Sequence, residues 1–428
     1  MKPRSWATIP AILVLLVVLA MAFPGCSAPS SVDANAIVLG LPTSMGYWFG
    51  TGAQEGAQLA IEEINKAGGV KLGGQMRPFK LEVIDTRDSA PGVPTEDSLR
   101  AIEKLILESK PVGIVCGPNR SEVLLAALDL FSKYKMVTIG CLAKTPALCQ
   151  KVTDDYAKYK YFFHLTTDSS YMANYHIDLM KVLGDKYGVK TVYALGQDVL
   201  WAKGTNAIIT DTLGKAGFKI AGNELFPLGT TDFSMALSKV KNASPALMPT
   251  QFDMPEVAQL MDQWATMKIP SISMGVIGPL LDRSIWKSSG GKVESSLLHI
   301  CEAGVFPVKA IPKSVEFYNN YQKRWGKTPE GVAGQSPSYD AVYVFKAAIE
   351  AANSTEPDAM VAAMEKVDLR GAIGRITFQK NHQAPYGLDP NQGAIGVFVQ
   401  WQQPGDLKLV FPTTVAETEI QLPPWMRK

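Results

Sequence analysis

Histidine and cysteine are scarce in this chain, with 4 and 5 copies in 428 residues. The histidines, at 164, 176, 299 and 382, fall in no metal-protease or Cys/His zinc spacing, so metal catalysis has no seat. So few cysteines cannot hold a fold of this length together through disulfides. Cys116 and Cys301 lie in apolar, strand-like runs and read as buried free thiols. Cys141 and Cys149 are close enough in sequence to close a small loop in an oxidising compartment, a pairing that sequence leaves open. Charge bias is absent too: 42 basic and 40 acidic residues give a net charge of +2 with no basic run, which speaks against a nucleic-acid partner. No Gly-x-Ser-x-Gly elbow occurs, because Gly334-Gln335-Ser336-Pro337-Ser338 lacks the final glycine. Gly50-x-Gly52-x-x-x-Gly56 follows a strand and opens a helix as a dinucleotide site would. However, eight residues separate Leu41 from Gly50, where that fold needs its first glycine to end the strand. With no nucleophile and base to pair, neither an enzyme nor a bound cofactor is expected.

What is present begins with an export signal. Lys2 and Arg4 precede an apolar run from Ile9 to Phe23, which is short of the roughly 20 residues of a membrane-spanning helix. Small residues follow around Cys26, so residues 1–25 read as a signal peptide. Phe23-Pro24-Gly25-Cys26 resembles a bacterial lipobox, in which Gly precedes a Cys acylated after cleavage, although Phe23 and Pro24 depart from the usual pattern. Lipidation of Cys26 is expected, with cleavage nearby by an ordinary signal peptidase as the alternative, and residues 26–35 read as a flexible tether. The mature chain is therefore placed in the periplasm or at the cell surface.

The remaining residues, about 400 with 46% apolar content across the whole chain, are too many for one ordinary core and suggest two lobes. Ala36 to Leu41 is a strand-length apolar run. Ala57, Ala60, Ile61, Ile64 and Ala67 then recur at helical spacing until Gly68-Gly69 stop the helix. Between them lies a loop with Tyr47, Trp48 and Phe49, a wall for an organic ligand over a helix N-terminus. Strand and helix signals alternate from there to Gly140 and again from Tyr161 to Met274, the mark of two doubly wound parallel sheets. Helices return over Lys313–Trp325, Ser338–Ala352 and Asp358–Val367, with short strands at Ile373–Phe378 and Ala394–Trp401 before a proline-rich end.

Several landmarks then fall in order: Leu41-Pro42-Thr43-Ser44, Asn65-Lys66-Ala67-Gly68-Gly69-Val70, Glu82 to Asp85, Val115-Cys116-Gly117 with Arg120-Ser121, Thr145-Pro146-Ala147-Leu148, Gln197-Asp198, and Ser338-Tyr339-Asp340-Ala341-Val342-Tyr343. Over about Ala36 to Trp401 the chain resembles the type I periplasmic binding proteins of the branched-chain amino acid ABC-transporter (leucine/isoleucine/valine-binding-like) group. The resemblance implies an α/β fold of two Rossmann-like lobes joined by three hinge crossovers near Leu165, Glu302 and Ile395. The implied N-terminal lobe is 36–165 plus 302–394, the C-terminal lobe 166–301 plus 395–412, and residues 413–428 form a tail. It also implies capture of a small-molecule ligand by domain closure and delivery to ABC permease subunits in the inner membrane. The alternative is a sensor of the same fold feeding a signalling partner.

Carried onto this chain, the resemblance places the ligand carboxylate near Arg120, Ser121, Ala143 and Lys144, with Ser121 doubling as a helix N-cap. Tyr47, Trp48 and Trp201 are the expected aromatic walls, and Gln251, Phe252 and Asp253 the expected contacts after the next second-lobe strand. Amino-acid-binding members place a Glu after the strand ending at Met274, to pair with the ligand ammonium. Here the run is Met274-Gly275-Val276-Ile277-Gly278, with Ile277 nearest that position. A buried ammonium without a counter-charge is costly by several kcal/mol. The expected ligand is therefore a carboxylate or amide with an apolar or aromatic body rather than a standard α-amino acid, unless Asp253 substitutes for the missing Glu.

Overall fold

The computed structural model describes residues 35–427. The signal peptide, Cys26 and most of the 26–35 tether lie outside the described residues. Apolar runs too short for helices become strands, and they assemble into two sheets. The first part of the chain runs β1 (Ile37–Thr43), α1 (Trp48–Lys66), β2 (Val70–Leu72), β3 (Gln75–Arg77), β4 (Phe79–Asp85), α2 (Thr95–Ser109), β5 (Gly113–Cys116), α3 (Ser121–Lys133), β6 (Thr138–Gly140), α4 (Ala147–Asp154), α5 (Tyr156–Tyr159) and β7 (Phe162–His164). Its five-stranded sheet has the order β4-β1-β5-β6-β7 and is parallel throughout. Such a sheet is covered on both faces, which is why a strand such as β5 is buried at every residue.

The chain continues through α6 (Ser169–Tyr187), β8 (Thr191–Gln197), α7 (Leu200–Lys215), β9 (Lys219–Phe226), α8 (Ser234–Ala243), β10 (Ala246–Phe252), α9 (Val257–Thr266), β11 (Ser271–Ile277), α10 (Ile285–Ser288) and β12 (Leu297–Ile300). It then forms α11 (Pro312–Trp325), α12 (Gln335–Ala352), α13 (Pro357–Met364) and a small hairpin of β13 (Leu369–Gly371) and β14 (Gly374–Ile376). It ends in β15 (Val397–Gln402) and β16 (Asp406–Phe411). The second sheet has the order β16-β15-β12-β11-β10-β8-β9. It is parallel except at the β15/β16 end, where an antiparallel hairpin closes the edge. β16 has no counterpart in the sequence expectations, because Asp406 and Lys408 interrupt the apolar run.

α11 and α12 pack against α1, and α12 against β5, so the late helices cover the first sheet. The chain passes between the two sheets after β7, after β12 and again just before β15. The first sheet separates two apolar cores, one under α1 and α12 and the other under α2 and α3. This arrangement explains the cysteines. Cys116, Cys141, Cys149 and Cys301 are all buried and free. Cys141 belongs to one core and Cys149 to the other, so the small loop between them is not closed by a disulfide. Residues 413–427 are more than a loose tail: Trp425 donates from Nε1 to the Ile269 carbonyl at 2.7 Å and meets Trp264 edge-on, while Arg427 pairs with Glu294 at 2.6 Å.

The glycine run that imitated a nucleotide loop lies inside α1. The helix starts at Trp48, earlier than the loop expected there, because the turn after β1 needs only Ser44 to Tyr47 before Thr51 N–H reaches the Tyr47 carbonyl. A Cβ at Gly50 would lie 2.0 Å from the Ser44 carbonyl oxygen, and one at Gly56 2.0 Å from the Gln335 carbonyl oxygen. These glycines therefore serve close packing of α1 against its own entry turn and against α12.

Where the crossovers meet, a lysine and a glutamate are buried together. Lys144 follows β6, and its Nζ lies 2.7 Å from Glu302 Oε1, with side-chain exposures of 9% and 0%. Nζ also donates to Thr167 Oγ1 at 3.3 Å and to Thr166 Oγ1. Glu302 Oε1 in turn accepts from Thr166 Oγ1 and, more distantly, from Thr167 N–H at 3.4 Å. The third crossover joins through Ala303 N–H to the Ile395 carbonyl at 2.8 Å. Burial opposes the charge on Lys144, but neighbours that include the Glu302 carboxylate overcome it, so its pKa stays above the ordinary lysine value.

Two stability measurements follow. Gly56→Ala is expected to lower the unfolding free energy by about 1–3 kcal/mol through overpacking against Gln335, read as a lower urea midpoint. Lys144→Met is expected to be more damaging, by about 3–5 kcal/mol, because it leaves Glu302 buried without its partner. Lys144→Met combined with Glu302→Leu should regain most of that loss in the same assay, and equal damage from single and double variants would contradict it.

Candidate functional site

In an open α/β sheet the crevice forms beyond the C-terminal strand ends where the strand order reverses. In the first sheet that point lies between β1 and β5, and in the second between β8 and β10. The residues just beyond those four strands include Trp48, Asn119, Trp201 and Asp253, and all four line one cavity. Leu142 and Lys144 join them after β6, Val276 from β11, Cys301 from the second crossover, and Val332 with Ala333 from the return before α12. Phe49 and Met172 complete the wall. The cavity volume is about 30 Å³, room for about two waters and well below the roughly 300–1,000 Å³ of small-molecule sites, so a ligand needs the two lobes to part.

Each side of the cavity presents a tryptophan from the first turn of a helix. Trp48 is the first residue of α1 and Trp201 the second of α7. Trp48 Nε1 donates to the Asp253 carbonyl at 3.3 Å. Its indole runs between two glycines: a Cβ at Gly278, beyond β11, would lie 2.6 Å from the ring, and one at Gly331, before α12, 1.9 Å. Trp201 is 8% exposed, and its carbonyl accepts from Ser169 Oγ at 3.1 Å. Ser169 also donates from its backbone N–H and its hydroxyl to the Lys144 carbonyl. Asp168 caps α6 by accepting from Ser170 and Tyr171 N–H at 2.8 and 2.9 Å, which fixes the turn that carries Met172.

Asp253 is the only acid among the lining residues. Its N–H donates to Gln197 Oε1 at 2.9 Å, which fixes the backbone as it leaves β10. Burial pushes its carboxyl pKa up to about 6, against the opposing pull of the Arg120 charge and the Asn119 amide. Lys144 also lines the cavity, although its ammonium is taken up by Glu302 and the two threonines.

Of the expected ligand-binding residues, Trp48, Lys144, Trp201 and Asp253 line the cavity, and seven do not. Tyr47 is the extended N-cap of α1, its ring stacked on Phe49 at 5.3 Å. Burial, then the charges of Glu256, Asp253 and Asp88, hold its hydroxyl pKa up. Arg120 turns its guanidinium to Glu122 at 3.4 Å, and its N–H donates to Asp88 at 2.7 Å. Ser121 is the first residue of α3 rather than its cap, and its hydroxyl accepts the Lys144 N–H at 3.3 Å. The Ala143 carbonyl accepts from the His164 ring at 2.8 Å. Gln251 donates to His176 Nε2 at 3.2 Å, and Phe252 packs between Phe226 and Phe233, both within the second lobe's core. Ile277 is fully buried, and its neighbour Val276 faces the cavity instead, since adjacent strand residues point to opposite faces.

Asn119, Leu142 and Val276 line the cavity one residue from expected positions, a difference of register. Phe49 belongs to the aromatic run read as a ligand wall, whereas Met172, Cys301, Val332 and Ala333 carry no local signal of a site; the fold alone brings them together. All four histidines are buried in packing.

The sequence model for periplasmic binding proteins matches residues 40–388. It describes substrate-binding components of transport that are not enzymes, bind small molecules and work with ABC-transporter permeases. A leucine-, isoleucine-, valine-, threonine- and alanine-binding protein of Pseudomonas aeruginosa is 24% identical over 370 residues, 84% of this chain and 90% of its own length. The crystal structure of a putative branched-chain amino acid ABC transporter from Silicibacter pomeroyi shares the fold with a TM-score of 0.78 at 18% identity, covering 91% of this chain and 100% of that one. A solute-binding protein from R. palustris in complex with benzoate shares it at 0.69 and 14% identity, covering 88% and 95%. With the match extending over most of the chain, and with two sheets whose reversal points face one cavity, this chain belongs to the periplasmic binding protein family.

Proposed function

We propose that this protein captures a small organic carboxylate or amide with an apolar or aromatic body outside the cytoplasm and delivers it to an ABC permease, held at the membrane by a lipid on Cys26. The observation that carries the reading is the composition of the cavity wall. Two indoles, Phe49, Leu142, Met172, Val276, Val332 and Ala333 suit a flat or branched apolar body. Next to Ile277, nearest the position where amino-acid-binding members are expected to carry an acid, this wall offers Val276. The N-terminal end of α3, beside Asn119, suits the carboxylate through the positive end of the helix dipole. Because the wall is drawn from both lobes, a ligand that touches both favours the closed arrangement by its differential affinity for it.

A second reading is favoured by Asp253, the acid in the wall, which would receive an amine-bearing ligand. The two readings predict opposite pH dependence. Asp253 loses its negative charge as the pH falls through about 6, so a carboxylate ligand, itself ionised down to about pH 4, should bind more tightly at pH 5 than at pH 7.5. An amine held by ionised Asp253 should weaken over the same range. Titration calorimetry at the two pH values distinguishes them.

A thermal-shift screen of aromatic and aliphatic carboxylates against the standard amino acids tests the proposal itself. Stabilisation approaching about 2.7 kcal/mol is expected at a hundredfold excess over Kd for the carboxylates. Stabilisation by leucine-like amino acids alone would overturn it.

A further inference from the structure

We infer that Glu302, on the second crossover, is an anchor for the bound ligand, and that the ligand presents a hydrogen-bond donor to it: a hydroxyl or amide N–H. This rests on the reading of the cavity as a small-carboxylate or amide site and adds a requirement to it. A lysine ammonium has three N–H donors and no acceptor. Those of Lys144 are matched by Glu302 Oε1, Thr166 Oγ1 and Thr167 Oγ1, so the lysine keeps no donor for a ligand carboxylate. Glu302 Oε1 is saturated by Lys144 and the two threonines. Oε2 of the same carboxylate is buried and has no partner.

Glu302 is 0% exposed, and an ionised oxygen held out of water without a hydrogen bond is costly. Its neighbour in sequence, Cys301, and its partner in space, Lys144, both line the cavity, so Glu302 lies directly behind that stretch of wall. A donor on the ligand satisfies Oε2. A second carboxylate placed there would meet a like charge and no free N–H. Cys301 beside it is no substitute, since burial pushes that thiol's pKa up to about 12 and keeps it neutral. The requirement thus comes from the crossover rather than from the strand ends where the other contacts lie.

The test compares matched probes by titration calorimetry: benzoate with 3- and 4-hydroxybenzoate, and 4-methylpentanoate with 2-hydroxy-4-methylpentanoate. In the wild type, the better-placed hydroxy compound of at least one pair should bind about ten- to a hundredfold more tightly than its parent, the range for a hydrogen bond to a charged acceptor. In Glu302→Gln that preference should fall below about threefold. If the single variant does not fold, Lys144→Met with Glu302→Gln removes the charge from both partners and should lose the preference in the same way. Equal binding within every pair, or a preference that survives the substitutions, would overturn the role of Glu302 while leaving the carboxylate reading intact. Binding by no probe would overturn both.

Discussion

A lysine and a glutamate withdrawn from water are tolerable only if each is fully matched, because the cost of desolvating either charge exceeds what a single contact returns. Lys144 and the Oε1 oxygen of Glu302 meet that condition by recruiting Thr166 and Thr167, while Oε2 is left open, so residues from one lobe's loop and from two crossovers are tied at one point. The arrangement depends on that point. It fixes where β6 ends and where the second crossover leaves β12, and the cavity wall between Leu142 and Cys301 follows from those two positions. Ser169 extends the same junction into the second lobe by holding the carbonyls of Lys144 and Trp201 together.

Much of the fold was legible in the sequence, because a doubly wound sheet announces itself twice over, by strand-length apolar runs and by helical spacing between them. β4 and β8 to β10 stand within the two stretches, to Gly140 and from Tyr161 to Met274, where alternation places strands. The returning helices α11 to α13 were also visible as periodicity, but their partner was not, since nothing local in Ser338–Ala352 names α1. What failed had specific causes. Apolar alternation cannot mark β16, where charged residues alternate at a sheet edge, and a glycine run reads alike whether it cradles phosphate or lets two helices touch.

The candidate site was less legible than the fold, and unevenly so. Residues directly beyond a strand at a reversal point, Trp48, Trp201 and Asp253, could be named, since topology alone sends them to the crevice. Errors of one residue at Ala143 and Ile277 moved the choice to a side chain or carbonyl facing inward, as the two-residue period of strands and the turns beyond them requires. Lys144 was named for its charge, whereas the structure shows that charge already engaged. Val332 and Ala333 belong to a segment nearly two hundred residues beyond the first lobe's last loop, and only the chain's return brings them to the wall.

The glycines at 278 and 331 each lie against the Trp48 indole and line no part of the cavity themselves. The position of a lining indole thus depends on two residues that never meet a ligand. For a lineage adapting to a new nutrient, this separates two kinds of change. Substitutions in the wall alter chemistry, while a methyl group gained at either glycine would displace the indole and alter the shape of the cavity without adding a new contact group. A binding protein built this way can explore ligand dimensions through residues on which its contact chemistry places no demand.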